Sequence, residues 1–113
     1  MKNYSIGVRV WLSKKDEGHF LGNGRIELLE NIKKTGSITK GAESMKMSYR
    51  QAWQMVQDIN ARAKEPYVEK ILGGKGGGGA RITSAGENAI KVFHEIDDKI
   101  AAYAKQLTKD ISL

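Results

Sequence analysis

The chain has 113 residues, and its 19 lysines and arginines outnumber its 13 aspartates and glutamates to give a net charge of +6. This length accommodates one domain, and the absence of cysteine excludes disulfides, thiol catalysis and cysteine-ligated zinc. No apolar run approaches the ~20 residues that a membrane span requires, and the N-terminus lacks an apolar signal segment. We therefore expect a cytoplasmic protein with no membrane partner.

The positive charge is concentrated in the middle of the chain. Residues 33–81 contain ten basic and four acidic side chains, so this segment carries the whole excess of +6. Clustered positive charge attracts polyanions, above all nucleic acids, but it is equally compatible with an ordinary solvated surface. Charge alone therefore leaves both interpretations open.

The first 21 residues predict a β-hairpin. Apolar residues alternate with others between Ile6 and Leu12, which is typical of a half-buried strand. A polar turn that ends at Gly18 precedes a short returning strand, residues 19–21.

Three helices are predicted next. Asn23 can cap the first helix, which should end near Gly36. Ser37 can cap a short second helix, and Ser48 can cap a third helix that ends before Pro66. Only about three residues separate the second and third helices, as in a helix-turn-helix.

The third helix has two contrasting faces. Its apolar side chains share one face, which we expect to pack against the core. These side chains are Tyr49, Ala52, Trp53, Val56 and Ile59. Arg50, Gln51 and Gln54 lie on the opposite face, and their side chains match base edges in the major groove of DNA. An ordinary amphipathic helix is the alternative, but the short turn before this helix and the hairpin after it favour DNA recognition.

The starts of two helices are candidate phosphate sites. Ser37 and Lys40 begin the second helix, and Ser48 and Tyr49 begin the third. Free backbone amides and the positive end of the helix dipole attract phosphate. The two serines can therefore serve as caps, as phosphate contacts or as both.

A glycine-rich loop, residues 73–79, joins two predicted strands, 67–72 and 80–82. Lys75 is followed by glycine, and the loop leads into a strand, so the pattern does not match a nucleotide P-loop. A flexible wing with Lys75 and Arg81 near DNA phosphates fits the pattern, and a disordered hairpin tip is the alternative.

The last helix has apolar residues at alternating steps of three and four, which is typical of a packing seam. The seam can close over the domain's own core or pair with a second copy of the chain, and we favour pairing. It consists of Ala89 and the five residues that we expect at a dimer interface: Phe93, Ile96, Ile100, Tyr103 and Leu107.

The order of these elements predicts an α+β fold, mainly α, in a single domain, 1–113. A β-hairpin (1–21) precedes a helix-turn-helix plus wing (22–83) and a C-terminal helix (84–113), which together form a winged helix-turn-helix. We expect no enzyme activity, cofactor or metal site, because His19 has no evident partner and His94 lies on a solvated helical face.

Four groups of residues in this order resemble a known family. They are residues 36–42, the motif from Ser48 to Trp53, the glycine run with Ala80 (73–80), and the pair Thr83 and Gly86. This combination resembles the N-terminal DNA-binding domain of ModE-type molybdenum-responsive regulators. The resemblance covers roughly residues 22–105, and it implies a LysR-like winged helix that binds double-stranded DNA as a homodimer. It also implies that the third helix enters the major groove.

Full ModE proteins also carry C-terminal oxyanion-binding domains that sense molybdate or tungstate. No residues here match that site, and the chain ends at Leu113. We therefore expect a stand-alone transcriptional regulator, with any effector sensed by a separate partner. The alternative is an oxyanion-binding module, for molybdate or tungstate, or a protein-interaction module, in either case without DNA binding.

Overall fold

Four helices and two antiparallel hairpins make up the computed structural model, which describes residues 3–74 and 77–113. This arrangement confirms the predicted α+β class. The elements in chain order are β1 (Trp11–Lys14), β2 (Gly18–Gly22), α1 (Asn23–Thr35), α2 (Ile38–Ser44), α3 (Tyr49–Arg62), β3 (Val68–Gly74), β4 (Gly77–Ile82) and α4 (Ser84–Thr108).

Side-chain caps define the starts of three helices. The hydroxyl oxygens of Ser37, Ser48 and Thr83 each accept a hydrogen bond, 3.1 Å long, from the backbone N–H three residues later. The caps at Ser37 and Ser48 confirm predictions from the sequence, because a cap depends only on nearby residues. The prediction for α1 is wrong: its cap position is Gly22, which has no side chain to offer, and Asn23 is already helical.

The alternating segment before β1 is not a strand, contrary to the prediction. Residues 3–10 have no regular secondary structure, and pairing with β2 begins only at Trp11. Because β2 has five residues, no partner strand reaches Ile6 and Val8, and both side chains are exposed. The segment instead contacts α4, where the backbone N–H of Ile6 donates a hydrogen bond to the hydroxyl of Thr108.

The core lies between α1, α3 and the first half of α4. Fully burying one large apolar side chain stabilises the fold by about 1.5–3 kcal/mol, so a few such residues dominate a domain of this size. The largest fully buried side chains are Ile26, Leu28, Leu29, Ile32, Ile59 and Phe93.

The second hairpin, β3–β4, extends into the glycine-rich segment that the sequence predicts as a loop. The strands pair from Val68↔Ile82 to Ile71↔Gly79, and Gly74 pairs again with Gly77. Most of the predicted loop is therefore strand, because backbone pairing does not require side chains. Residues 75–76, which include the predicted contact Lys75, lie outside the described residues.

Glycine is required where β4 meets the end of α1. The N–H of Ala80 donates a 2.9 Å hydrogen bond to the carbonyl oxygen of Gly36, and a Cβ on Gly79 would lie only 2.6 Å from that oxygen. Gly36 itself adopts the left-handed conformation, with φ of 70°, that ends α1. The glycines therefore allow the second hairpin to pack directly against the junction of α1 and α2.

We expect Gly79→Ala to destabilise the protein, because the added Cβ would meet the Gly36 carbonyl and push two backbone segments apart. The free energy of unfolding, measured by urea denaturation, should fall by about 1–3 kcal/mol. Gly24→Ala is the matched control, because a Cβ at Gly24 meets nothing within 4 Å and alanine favours a helix. Equal effects of the two substitutions would contradict the requirement for a glycine at 79.

Candidate nucleic-acid interface

One face of α3 carries the polar side chains that the sequence assigns to DNA. Arg50, Gln51 and Gln54 are exposed, while the opposite face of the helix packs in the core. The cap at Ser48 starts the helix at Tyr49, so the three side chains fall within its first two turns. The predicted polar face therefore exists, and it is accessible.

Two aromatic side chains of α3 are more exposed than the sequence indicates. Tyr49 is 46% exposed and Trp53 is 38% exposed, although both were expected to face the core. The buried face is narrower than predicted, because it contains only Ala52, Val56 and Ile59. The two rings lie at its edge, where they flank the polar face.

A cavity of about 330 Å³ separates the starts of α2 and α3 from the second hairpin. Its lining includes Ser37, Tyr49, Lys70 and Leu72, together with glycines of β3 and β4. The structure therefore brings two predicted contacts, Ser37 and Tyr49, next to the hairpin. It also adds Lys70, which the sequence analysis missed.

Four cations, one of which (Lys70) lines this cavity, lack acidic partners in the described part of the chain. Lys40 begins α2, Lys46 lies in the turn before α3, Arg50 lies on α3, and Lys70 lies on β3. All four side chains are exposed, and none forms an ion pair with a described residue. Their charge is therefore not neutralised locally, and it can attract a polyanion.

Arg81, another predicted phosphate contact, has a different environment. Its guanidinium lies 3.0 Å from the carboxylate of Glu69, its cross-strand neighbour. Both residues line a separate cavity of about 550 Å³ that also includes Glu65 and Glu87. Because adjacent residues of a strand point to opposite faces, the side chains of Lys70 and Glu69 lie on opposite sides of the hairpin. The alternation of β3 was the signal that could have identified Lys70.

An ionic cluster connects the C-terminal half of α3 to the first hairpin. The Asp58 carboxylate accepts hydrogen bonds from Arg25 at 2.6 Å and from Arg62 at 3.1 Å. Arg62 also donates to the backbone carbonyls of residues 17–19. The hydrogen bond from Arg25, aided by that from Arg62 and opposed by desolvation, holds the pKa of Asp58 below its ordinary value. The cluster thus fixes α3 against the turn between β1 and β2.

The apolar seam of α4 is divided between the core and the surface. Phe93 is 1% exposed and Ile96 packs against the core, so these two predicted dimer residues serve the domain itself. Ile100, Tyr103 and Leu107 are exposed. The division arises because α4, 25 residues and roughly 37 Å long, extends past the other helices.

Both histidines have local partners. The ring of His94 lies 3.1 Å from the carboxylate of Glu30. The ring of His19 packs against that of Trp11, with a centroid separation of 4.6 Å and an angle of 40° between the ring planes. Within residues 3–74 and 77–113, no three acidic or histidine side chains gather into a potential metal site. The helices of the same residues include none that is long and apolar enough to cross a membrane.

The chain is similar to curated proteins named ModE and Mop. It is 46% identical over 69 residues to the transcriptional regulator ModE of Yersinia pestis, a match that covers 61% of this chain and 26% of the relative. It is 38% identical over 96 residues to the molybdenum-pterin-binding protein MopB of Rhodobacter capsulatus, covering 85% of this chain and 36% of the relative. The DNA-binding transcriptional dual regulator ModE of Escherichia coli K12 is 41% identical over 69 residues, with coverages of 61% and 26%.

These relatives are regulators or molybdenum-binding proteins by name, and none of the three is named as an enzyme. The chain spans about a quarter to a third of their length, 26% to 36%. No protein-family profile matches it.

We expect Asp58→Asn to lower the free energy of unfolding by about 1 kcal/mol at pH 7, because a neutral amide cannot form ion pairs with two guanidinium groups. The folded protein lowers this pKa, so the stabilisation is present above the ordinary value of 3.8 and is lost as the pH falls through the lower folded value. The difference between the two proteins in urea denaturation should therefore shrink below about pH 4.

Asp98→Asn is the control for this pH series. Asp98 is an exposed carboxylate of α4 that has no ion pair with any residue of the described segments. It should change stability little at any pH. The ionic cluster would not stabilise the fold if both substitutions gave the same profile.

Proposed function

We propose that this protein is a winged helix-turn-helix domain of the ModE type, which binds double-stranded DNA as a homodimer and regulates transcription. The observation that supports this most directly is the exposed polar face of α3, together with nearby cations that form no ion pair with any described residue. In this proposal α3 is the recognition helix in the major groove, and β3–β4 is the wing.

The polar face of α3 supplies the groups that base recognition needs. A guanidinium such as that of Arg50 can donate two hydrogen bonds to guanine, and the amides of Gln51 and Gln54 can pair with adenine. Because the opposite side of α3 is buried, the helix can present these groups without moving its own core contacts. Base contacts of this kind determine which sequence is bound.

Residues at the starts of α2 and α3 and on the wing supply phosphate contacts. We assign this role to Ser37, Lys40, Ser48, Tyr49 and Lys70, and we retain the sequence-based assignments of Lys75 and Arg81 as proposals. Phosphate contacts fix the position of the protein on the duplex but carry little sequence information. Since each neutralised phosphate releases counterions, binding should weaken steeply with salt.

The first experiment selects bound sites from a random duplex library and then measures affinity for the selected site and for altered sites. Arg50→Ala should cost about 1–3 kcal/mol on the selected site and relax the preference at one base position. Lys70→Ala is the matched control: it should weaken binding about equally on all sequences and reduce the salt slope by about one. An unchanged base preference in the Arg50 variant would rule out α3 as the helix that recognises the bases.

The proposed homodimer uses the exposed end of the α4 seam. Ile100, Tyr103 and Leu107 occupy one side of the helix, beyond the part that packs on the domain's own core. Three large apolar side chains that are exposed on one face of a helix, at steps of three and four residues, are typical of a helix that pairs with another helix. Two copies joined there would present two recognition helices to a two-fold symmetric site.

We expect Tyr103→Glu to shift the protein from dimer to monomer, because a carboxylate buried between two helices has no partner there. Sedimentation equilibrium measures the mass of the species directly. Ala101→Glu is the matched control, since Ala101 is exposed on the other side of α4 and the added charge is the same. A wild-type protein that sediments as a monomer, or a Tyr103 variant that remains dimeric, would contradict the proposed interface.

A second candidate function is the binding of an oxyanion such as molybdate or tungstate without DNA. The name of the Rhodobacter relative favours it, and that match covers more of the chain than the match to the relative named as DNA-binding. The cavity beside Ser37 and Lys70 offers hydroxyl, ammonium and backbone N–H groups of the right chemistry. However, the cations that have no acidic partner among residues 3–74 and 77–113 are spread over α2, α3, β3 and the turn before α3. This arrangement suits an extended polyanion better than a small one.

Calorimetry separates the two candidates. Molybdate and tungstate are titrated into one sample of the protein, and a mixed-sequence duplex is titrated into another at two salt concentrations. Salt-dependent duplex binding supports the DNA proposal. Tight oxyanion binding with no duplex binding would replace it with the second candidate.

A further inference from the structure

Leu72 is the most exposed large apolar side chain of the second hairpin. It is 93% exposed, whereas Val68 and Ala80 of the same hairpin are buried in the core. Single exposed apolar residues are common on protein surfaces and need no explanation by themselves. Leu72 differs because it lines the cavity shared with Tyr49 and Lys70, so it belongs to the surface that the proposed function assigns to DNA.

The hairpin becomes narrow immediately after Leu72. Residues 73–74 of β3 and 77–79 of β4 are all glycine, so this part of the ladder has no side chains on either face. A DNA minor groove is only about 6 Å wide, and it admits thin backbone segments more readily than strands that carry side chains. Leu72 therefore projects from the base of the part of the wing that is slim enough to approach a minor groove.

A cation accompanies this apolar side chain. Lys70 lies two residues earlier in β3, and it lines the same cavity as Leu72. Lys70 is exposed and pairs with no acidic side chain of the described segments, so its ammonium group can contact a phosphate at the rim of the groove. Proteins that bend DNA through the minor groove combine such cations with an aliphatic side chain that separates two base pairs.

We propose that Leu72 is an apolar wedge that enters the minor groove next to the sequence read by α3 and partly unstacks one base step there. The inference rests on the proposed function, because it requires that the protein bind duplex DNA. Pyrimidine–purine steps, above all TA, unstack most easily. Leu72 would therefore impose a preference for such a step at a position where α3 makes no base contact.

The test uses the full chain and duplexes that contain the site selected in the library experiment. Single adenines near the ends of each half-site are replaced, one duplex at a time, by 2-aminopurine, whose fluorescence rises when the base loses its stacking neighbour. Binding of the wild-type protein should raise the fluorescence at one step in each half-site. Leu72→Ala should abolish that rise and weaken binding by about tenfold, since the insertion contact is lost.

Two further variants separate insertion from charge. Leu72→Met keeps an aliphatic side chain of similar length and should retain the fluorescence rise. Lys70→Ala should weaken binding and reduce its salt dependence but retain the rise, because the wedge remains. Since Leu72 is exposed, its variants should unfold at the same urea concentration as the wild type, which verifies that the wing is intact.

The failure of this inference can be distinguished from the failure of the proposed function. Suppose that the wild type binds duplex DNA in a salt-dependent manner, and that Leu72→Ala shows the same fluorescence and the same preference for a flexible step. The wedge is then excluded, and the DNA-binding function stands. A wild-type protein that binds no duplex excludes both.

Discussion

The rest of the structure depends on the contact between the end of α1 and β4. Gly36 turns the chain through a left-handed conformation, and its carbonyl oxygen accepts a hydrogen bond from Ala80. The contact is possible only because Gly79 has no Cβ to fill the space next to that oxygen. It brings the second hairpin to the starts of α2 and α3. The cavity lined by Ser37 and Lys70 therefore depends on the close approach of the backbones at Gly36 and Gly79.

The third helix is held on both flanks by contacts from its C-terminal half. On one flank, the side-chain oxygen of Asn60 accepts hydrogen bonds from the backbone N–H groups of residues 67 and 68, and its amide donates to the carbonyl of Val68. On the other flank, Arg62 connects the helix to the first hairpin, and Asp58 pairs with Arg62 and with Arg25 of α1. Within the described part of the chain, the side chains of the first two turns of α3 form no such hydrogen bonds. Contacts from the C-terminal half thus hold the whole helix in position. The side chains of the exposed polar face therefore remain available for a ligand.

Local signals in the sequence were sufficient for most of the helices. Ser37 and Ser48 cap as predicted, because a cap involves a side chain and a backbone group three residues apart. The alternation from Ile6 to Leu12 predicted a strand, but only its end from Trp11 onward is paired, since a strand also needs a partner of sufficient length. The glycine-rich segment was predicted as a loop, although most of it is strand. Its strands pair through backbone hydrogen bonds, and a run of glycines has no side-chain alternation from which a strand could be predicted.

The sequence by itself determined the α+β class, most helix boundaries, the polar face of α3 and the region that carries the net charge, because these follow from spacing and composition along the chain. Only the tertiary structure decided which cations have acidic partners and which apolar residues remain exposed. Arg81 has Glu69 beside it while Lys70 has no described acidic partner, and Phe93 is buried while Tyr103 is 61% exposed. The physical reason is that ion pairing and burial depend on neighbours that are distant in sequence, whereas caps and periodicity depend on residues only a few positions away.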